Sequence, residues 1–309
     1  MRHPFLTFRL RRALQIGCLA CVAGLFVLLI LAIVGSRWIS ERSFLIEART
    51  TAFEIAFPVG GAVWGFDNAT ICVPLKIPSP GIARGEGQCD DQLYEPDEAP
   101  KTVTIDWKAK SKVRVTLRAD DILEIRPEGA GGVTEGAEIL VPVDDWKRAG
   151  VAAFDGYITL GRDPGSGEQG YLLDGRYEIR ERFIFGDAAS SVVKTGVFAR
   201  GEVVEVATVN TWQFTPDATL VRGHITPFLS DGLNSLMVVA VTRAGNPQLQ
   251  VTYPGVPEPR RVRSTWIDSV IANPMLLAVA LLLSLSLSVV GMLEKFWALI
   301  GRAANSATK

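Results

Sequence analysis

TVTIDWKAKSKVRVTLR, residues 102–118, alternates in a way that decides the fold class. Val103, Ile105 and Trp107 fall on one face, and Thr102, Thr104, Asp106 and Lys108 on the other. After Ala109–Ser111 the alternation resumes, with Val113, Val115 and Leu117 against Lys112, Arg114, Thr116 and Arg118. A period of two is that of a half-buried β-strand. The short link predicts that the two strands form a hairpin. Working outward, Phe53, Ile55 and Phe57 alternate likewise. Further strands are predicted at 69–73, 122–126, 138–141, 156–160, 177–185, 192–198, 202–208, 219–226, 236–242 and 249–253. Asp174-Gly175 is a hairpin-turn signal, and residues 163–167 and 245–247 read as loops. One short helix is predicted at 144–149, capped by Asp144. Ten or more short strands without an intervening long helix predict an all-β sandwich or barrel, since each sheet must bury an apolar face.

Two uncharged apolar runs bracket this β region, at residues 13–36 and 269–293. Either is long enough for a bilayer at a helical rise of ~1.5 Å per residue. The expected fold class is therefore a membrane protein with two transmembrane α-helices flanking an all-β, sandwich- or barrel-like extracytoplasmic domain. The expected division is a cytoplasmic N-terminus at 1–12, an uncleaved signal anchor at 13–36, the β-rich domain at 37–267, a second span at 269–293 and a cytoplasmic tail at 294–309. The first run is too long for the apolar core of a cleaved signal peptide. Arg2, Arg9, Arg11 and Arg12 precede it, and Lys295, Arg302 and Lys309 follow the second run. The positive-inside rule then predicts a multi-pass, N-in/C-in protein of a bacterial inner membrane, with the main domain periplasmic. Trp38, Trp266 and Trp297 read as membrane-interface anchors. Gly17, Cys21 and Gly24, and Ser284, Ser288 and Gly291, share an i, i+4, i+7 spacing that suits close helix packing.

Charge narrows the partners. The chain carries 32 basic and 33 acidic residues, but residues 36–266 hold 25 basic and 31 acidic ones. An acidic domain argues against nucleic acid, which demands clustered Lys and Arg. The expected partners are the lipid bilayer, other membrane or periplasmic proteins, and a second copy of the chain. Cys72 and Cys89 enclose a Pro/Gly-rich stretch and are expected to pair in an oxidising compartment.

Residues suited to catalysis are few. His3 and His224 are the two histidines. His224 falls in a predicted strand, and no Gly-x-Ser-x-Gly elbow accompanies it. The acid pairs Asp90-Asp91, Asp120-Asp121 and Asp144-Asp145 suit turns better than carboxylate dyads, because neighbours on a strand face opposite ways. Neither a zinc nor a calcium motif is present, and no cofactor or metal is expected. Glu178, Arg180 and Arg182 share one strand face and are the candidate partner surface. The expected function is non-catalytic: an envelope scaffold, assembly factor or subunit of an inner-membrane complex. An extracytoplasmic sensor signalling through a membrane partner is the alternative, ahead of an envelope-polymer enzyme or an oligomeric pore.

Overall fold

The computed structural model describes residues 41–76, 89–90, 92–97, 100–162, 170–182, 191–209, 216–218, 220–230, 233–243, 247–256, 258–272 and 274–306, with 23–24, 26–27 and 30 at the N-terminal side. It contains β1 (Glu41–Thr50), β2 (Ala52–Phe57), β3 (Ala62–Pro74), β4 (Tyr94–Pro96), β5 (Lys101–Trp107), β6 (Ser111–Leu117), β7 (Ile122–Glu128), β8 (Glu138–Pro142) and β9 (Ala152–Leu160). These are followed by β10 (Leu172–Arg182), β11 (Ser191–Phe198), β12 (Val203–Val209), β13 (Pro216–Ala218), β14 (Val221–Ser230), β15 (Leu233–Thr242), β16 (Pro247–Thr252) and β17 (Arg260–Val262). The helices are α1 (Val143–Ala149), α2 (Trp266–Ala272) and α3 (Pro274–Ser306). The chain divides into two compact units. One comprises Glu41–Arg180 and Lys194–Arg263, and the other Met1–Ser40, Glu181–Val193 and Ser264–Lys309.

In the first unit two antiparallel sheets share a strand. Sheet one runs β1, β15, β14 and the first half of β9, where β14 meets residues 152–156. At Gly156 the strand changes partners, and its second half pairs with β2 and, at residues 159–160, with β12. Sheet two continues from β2 through β6, β7, β8 and the end of β3 to β4, and on the other side from β12 through β16 to β17. The alternation read from the sequence supplies the buried faces. Phe44, Ile46, Val238 and Ile225 from sheet one share a single core with Phe53, Ile55, Val113, Val115, Ile125 and Val204 from sheet two. Trp107 stacks on Phe57 at 5.0 Å and meets Trp64 edge-on at 5.0 Å, the offset and edge geometries that aromatic quadrupoles favour. Trp146 of α1 closes this cluster against Trp64 and Phe66.

Three local expectations are corrected. β5 and β6 do not form a hairpin: β5 pairs with β3, while β6 lies between β2 and β7. Asp174-Gly175 is not a turn, because β10 runs straight through it. A Cβ at Gly175 would lie 2.8 Å from the Glu47 carbonyl oxygen and 2.9 Å from Ala48 Cα, so glycine permits β10 to pass close to β1. Pro142 holds the N-cap position of α1 with no side-chain cap, and Asp144 pairs with Lys147 within the helix.

The larger correction concerns the flanks. Among the described residues no helix is long and apolar enough to cross a membrane. This overturns the two transmembrane helices expected at 13–36 and 269–293, and with them the multi-pass placement in an inner membrane. Most of the first run lies outside the described residues. Within the second, the described residues belong to α2, which reaches Ala272, and to α3, which starts at Pro274, a residue suited to a first helical position. α3 interleaves Ser284, Ser286 and Ser288 with its leucines and continues into Glu294, Lys295 and Arg302. At the start of α2, Thr265 and Asp268 exchange bonds as a capping box: Asp268 Oδ2 accepts from the Thr265 N–H at 2.7 Å, and Thr265 Oγ1 from the Asp268 N–H at 3.3 Å.

The core arrangement predicts that Trp107→Ala lowers the unfolding free energy by about 3–5 kcal/mol in urea denaturation. Trp107→Phe is expected to cost much less. It keeps the stack on Phe57 and removes a buried indole N–H that has no hydrogen-bond partner among the described residues.

Candidate functional site

The outward faces of the two sheets differ. On sheet two, the outer side of β7 and β8 is covered. The structure joins Cys72 to Cys89, and this bridge packs with Leu140, Tyr94 and Ile122 over the strands. On the same two strands, half-exposed Arg126 bridges Glu124 at 2.6 Å and fully buried Glu138 at 3.3 Å. Burial alone would lower the Arg126 pKa, but Glu124 and Glu138 outweigh it and hold the guanidinium above its ordinary value.

Sheet one presents its outer face as a series of registered rows. Leu45, Val241, Arg222 and Asp155 are opposite one another across β1, β15, β14 and β9. Glu47, Val239, His224 and Ala153 form the next row, then Arg49, Met237 and Thr226, then Ser235 and Phe228. The middle of the face is apolar, with Val241 43% exposed and Phe228 38%. Leu229 and Leu233, at the far end of the β14–β15 hairpin, are more exposed still.

Charges flank this apolar strip on both sides. Toward β10, Arg49 pairs with Asp174 and Arg176 with Glu47, and Arg49 lies 6.0 Å from the Phe228 ring centre. These residues, with Gly175, Val197, Phe198 and Met237, line an open groove of about 490 Å³. Toward β9, Asp155 accepts from Arg222 Nε at 2.8 Å and from Arg243 Nη2 at 3.0 Å. Partial burial alone would raise the Asp155 pKa, but the bonds from Arg222 and Arg243 outweigh it and hold the carboxyl below its ordinary range.

The sequence-predicted residues fall as follows. Glu178 and Arg180 lie on the same side of β10 as Asp174 and Arg176, beside the groove, and pair with each other at 2.8 Å. Arg182 is exposed at the end of β10. His224 lies exposed on the outer face, and its imidazole makes no hydrogen bond to another described residue. Gly17, Cys21 and Trp38 lie outside the described residues. Gly24 and Gly291 have open space where a Cβ would be, and the Ser288 hydroxyl donates to the Ser284 carbonyl of its own helix at 2.9 Å. Trp266 opens α2 and Trp297 lies within α3. Among the described residues no group of three or more His, Cys, Asp or Glu is placed to hold a metal ion.

Sequence reasoning missed Leu45, Asp155, Arg222, Val239, Val241 and Arg243. Each is unremarkable within its own strand, and only the register brings them together. Asn68, part of an Asn-x-Thr sequon, adopts φ 57° beside a bulge in β3 and donates to buried Asp145 at 3.1 Å. Comparison with known proteins returned no family model, no curated relative and no solved structure similar to this chain.

A depressed folded-state pKa means that the contribution of Asp155 to stability is present above the unfolded value, ~3.9, and is lost as pH falls through the lower folded value. An NMR titration is expected to place the Asp155 midpoint below that of an unstructured aspartate. Arg222→Ala with Arg243→Ala is expected to move it upward.

Proposed function

We propose that this chain is a non-catalytic protein-binding module, a scaffold or assembly subunit, that docks its partner on the outer face of sheet one. The observation that supports this is the contrast between the two outer faces. On sheet two the Cys72–Cys89 bridge and Tyr94 pack over Leu140. Sheet one leaves Leu45, Val239, Val241, Met237 and Phe228 at its surface, inside a border of ion pairs. An apolar patch with a polar rim is the layout of protein interfaces, in which the centre excludes water and the rim sets orientation.

Rigid registration also suits the face to binding. Four hydrogen-bonded strands hold its side chains in fixed rows, so little conformational entropy is lost on docking. Phe228 and Arg49 supply the aromatic and guanidinium surface in which interface energy tends to concentrate.

Site-specific photocrosslinking in the native cells tests the proposal. A photoreactive residue at Val239 or Val241 is expected to give a discrete crosslinked product that Met237→Glu suppresses. One at Val63, equally apolar and 61% exposed but on β3, is expected to give none. Identical products from all three positions, or none from the face, would contradict the proposal.

A further inference from the structure

The ion pairs around the face are unequal. On the β10 side the partners pair singly among the described residues: Arg49 with Asp174, Arg176 with Glu47, and Arg180 with Glu178. On the β9 side two guanidinium groups share the single carboxylate of Asp155. Among the described residues, that end of the face therefore carries one guanidinium more than it has carboxylates, in a domain whose sequence is acidic overall.

The excess charge is accessible and oriented. The Arg222 side chain is 71% exposed and that of Arg243 51%. Arg222 reaches Asp155 through Nε, and Arg243 through Nη2 alone. Both groups keep further N–H donors directed elsewhere, and a planar guanidinium offers them in a fork that matches a carboxylate. Asp155 holds the two forks side by side. Val241 is in register with Arg222 on one side and Leu45 on the other, so apolar surface begins where the cationic pair ends.

We infer, resting on the docking face proposed above, that the partner segment seated there carries a carboxylate flanked by apolar side chains, and that Arg222 and Arg243 clamp that carboxylate. The incoming group supplies the charge that Asp155 leaves unmatched, and its neighbours cover Val241, Val239 and Leu45. Charge complementarity of this kind fixes the orientation of a partner more than it adds to affinity.

Selection of a phage-displayed library of random 12-residue peptides against the full chain tests the inference. The expected peptides combine Asp or Glu with adjacent apolar residues and fail to bind Val239→Arg. Arg222→Ala/Arg243→Ala is expected to weaken them about three- to tenfold, two exposed charge pairs being lost. Arg222→Gln/Arg243→Gln, which keeps hydrogen-bond donors without the charge, should behave alike if the alanine variant unfolds at a lower temperature than the parent. Arg222→Glu/Arg243→Glu is expected to select basic peptides instead. Peptides without an acid that still depend on Val239 would overturn the clamp and leave the docking face standing. Peptides indifferent to Val239→Arg would overturn both. A dimer that Val239→Arg dissociates in sedimentation would make a second copy the occupant, and would also overturn the clamp.

Discussion

At Gly156 two sheets come closer than any side chain allows, and the rest of the domain follows from that crossing. A Cβ there would lie 2.4 Å from the Ala56 carbonyl oxygen and 3.1 Å from Ile55 Cγ2. The absence of one lets β9 leave β14 and join β2 without a break in the chain. Gly223 repeats the device next door, where a Cβ would meet the Val239 carbonyl oxygen at 2.3 Å and the Phe154 ring at 2.8 Å. Because one strand belongs to both sheets, the core is continuous and the register of sheet one is tied to that of sheet two. The rows on the outer face inherit their alignment from this shared strand.

The polar groups divide along the same lines. Glu124 and Glu138 are buried beside a half-exposed Arg126, and taking such charge out of water costs several kcal/mol unless it is paired. Such a triad is weak evidence for added stability. On sheet one the ion pairs are partly wet and contribute little to folding. Their arrangement is better explained by what approaches the face than by what holds the domain together.

Much of this was legible in the sequence, and the rest failed for identifiable reasons. Period-two alternation located most strands and, as at Val103, Ile105 and Trp107, their inward faces. It could not name partners, because alternation specifies a face and not a neighbour; the Ala109–Ser111 link joins strands that pair elsewhere. Asp174-Gly175 misled because the glycine serves close approach to β1 rather than a bend. Glu178 and Arg180 were legible as surface because they share one strand, whereas Asp155, Arg222 and Val241 lie on three strands and meet only through register. Hydropathy marked the flanking runs as apolar, but no described helix is long and apolar enough to cross a membrane.

Hydrogen exchange on Gly156→Val, followed peptide by peptide, tests the central dependence most directly. If the crossing of β9 organises both sheets, protection falls together in β14, β15 and β1 on one side and in β2 and β6 on the other. The unfolding midpoint should fall with it. Loss confined to β9, with β15 and β6 protected as in the parent chain, would show that the sheets stand independently and would contradict the account.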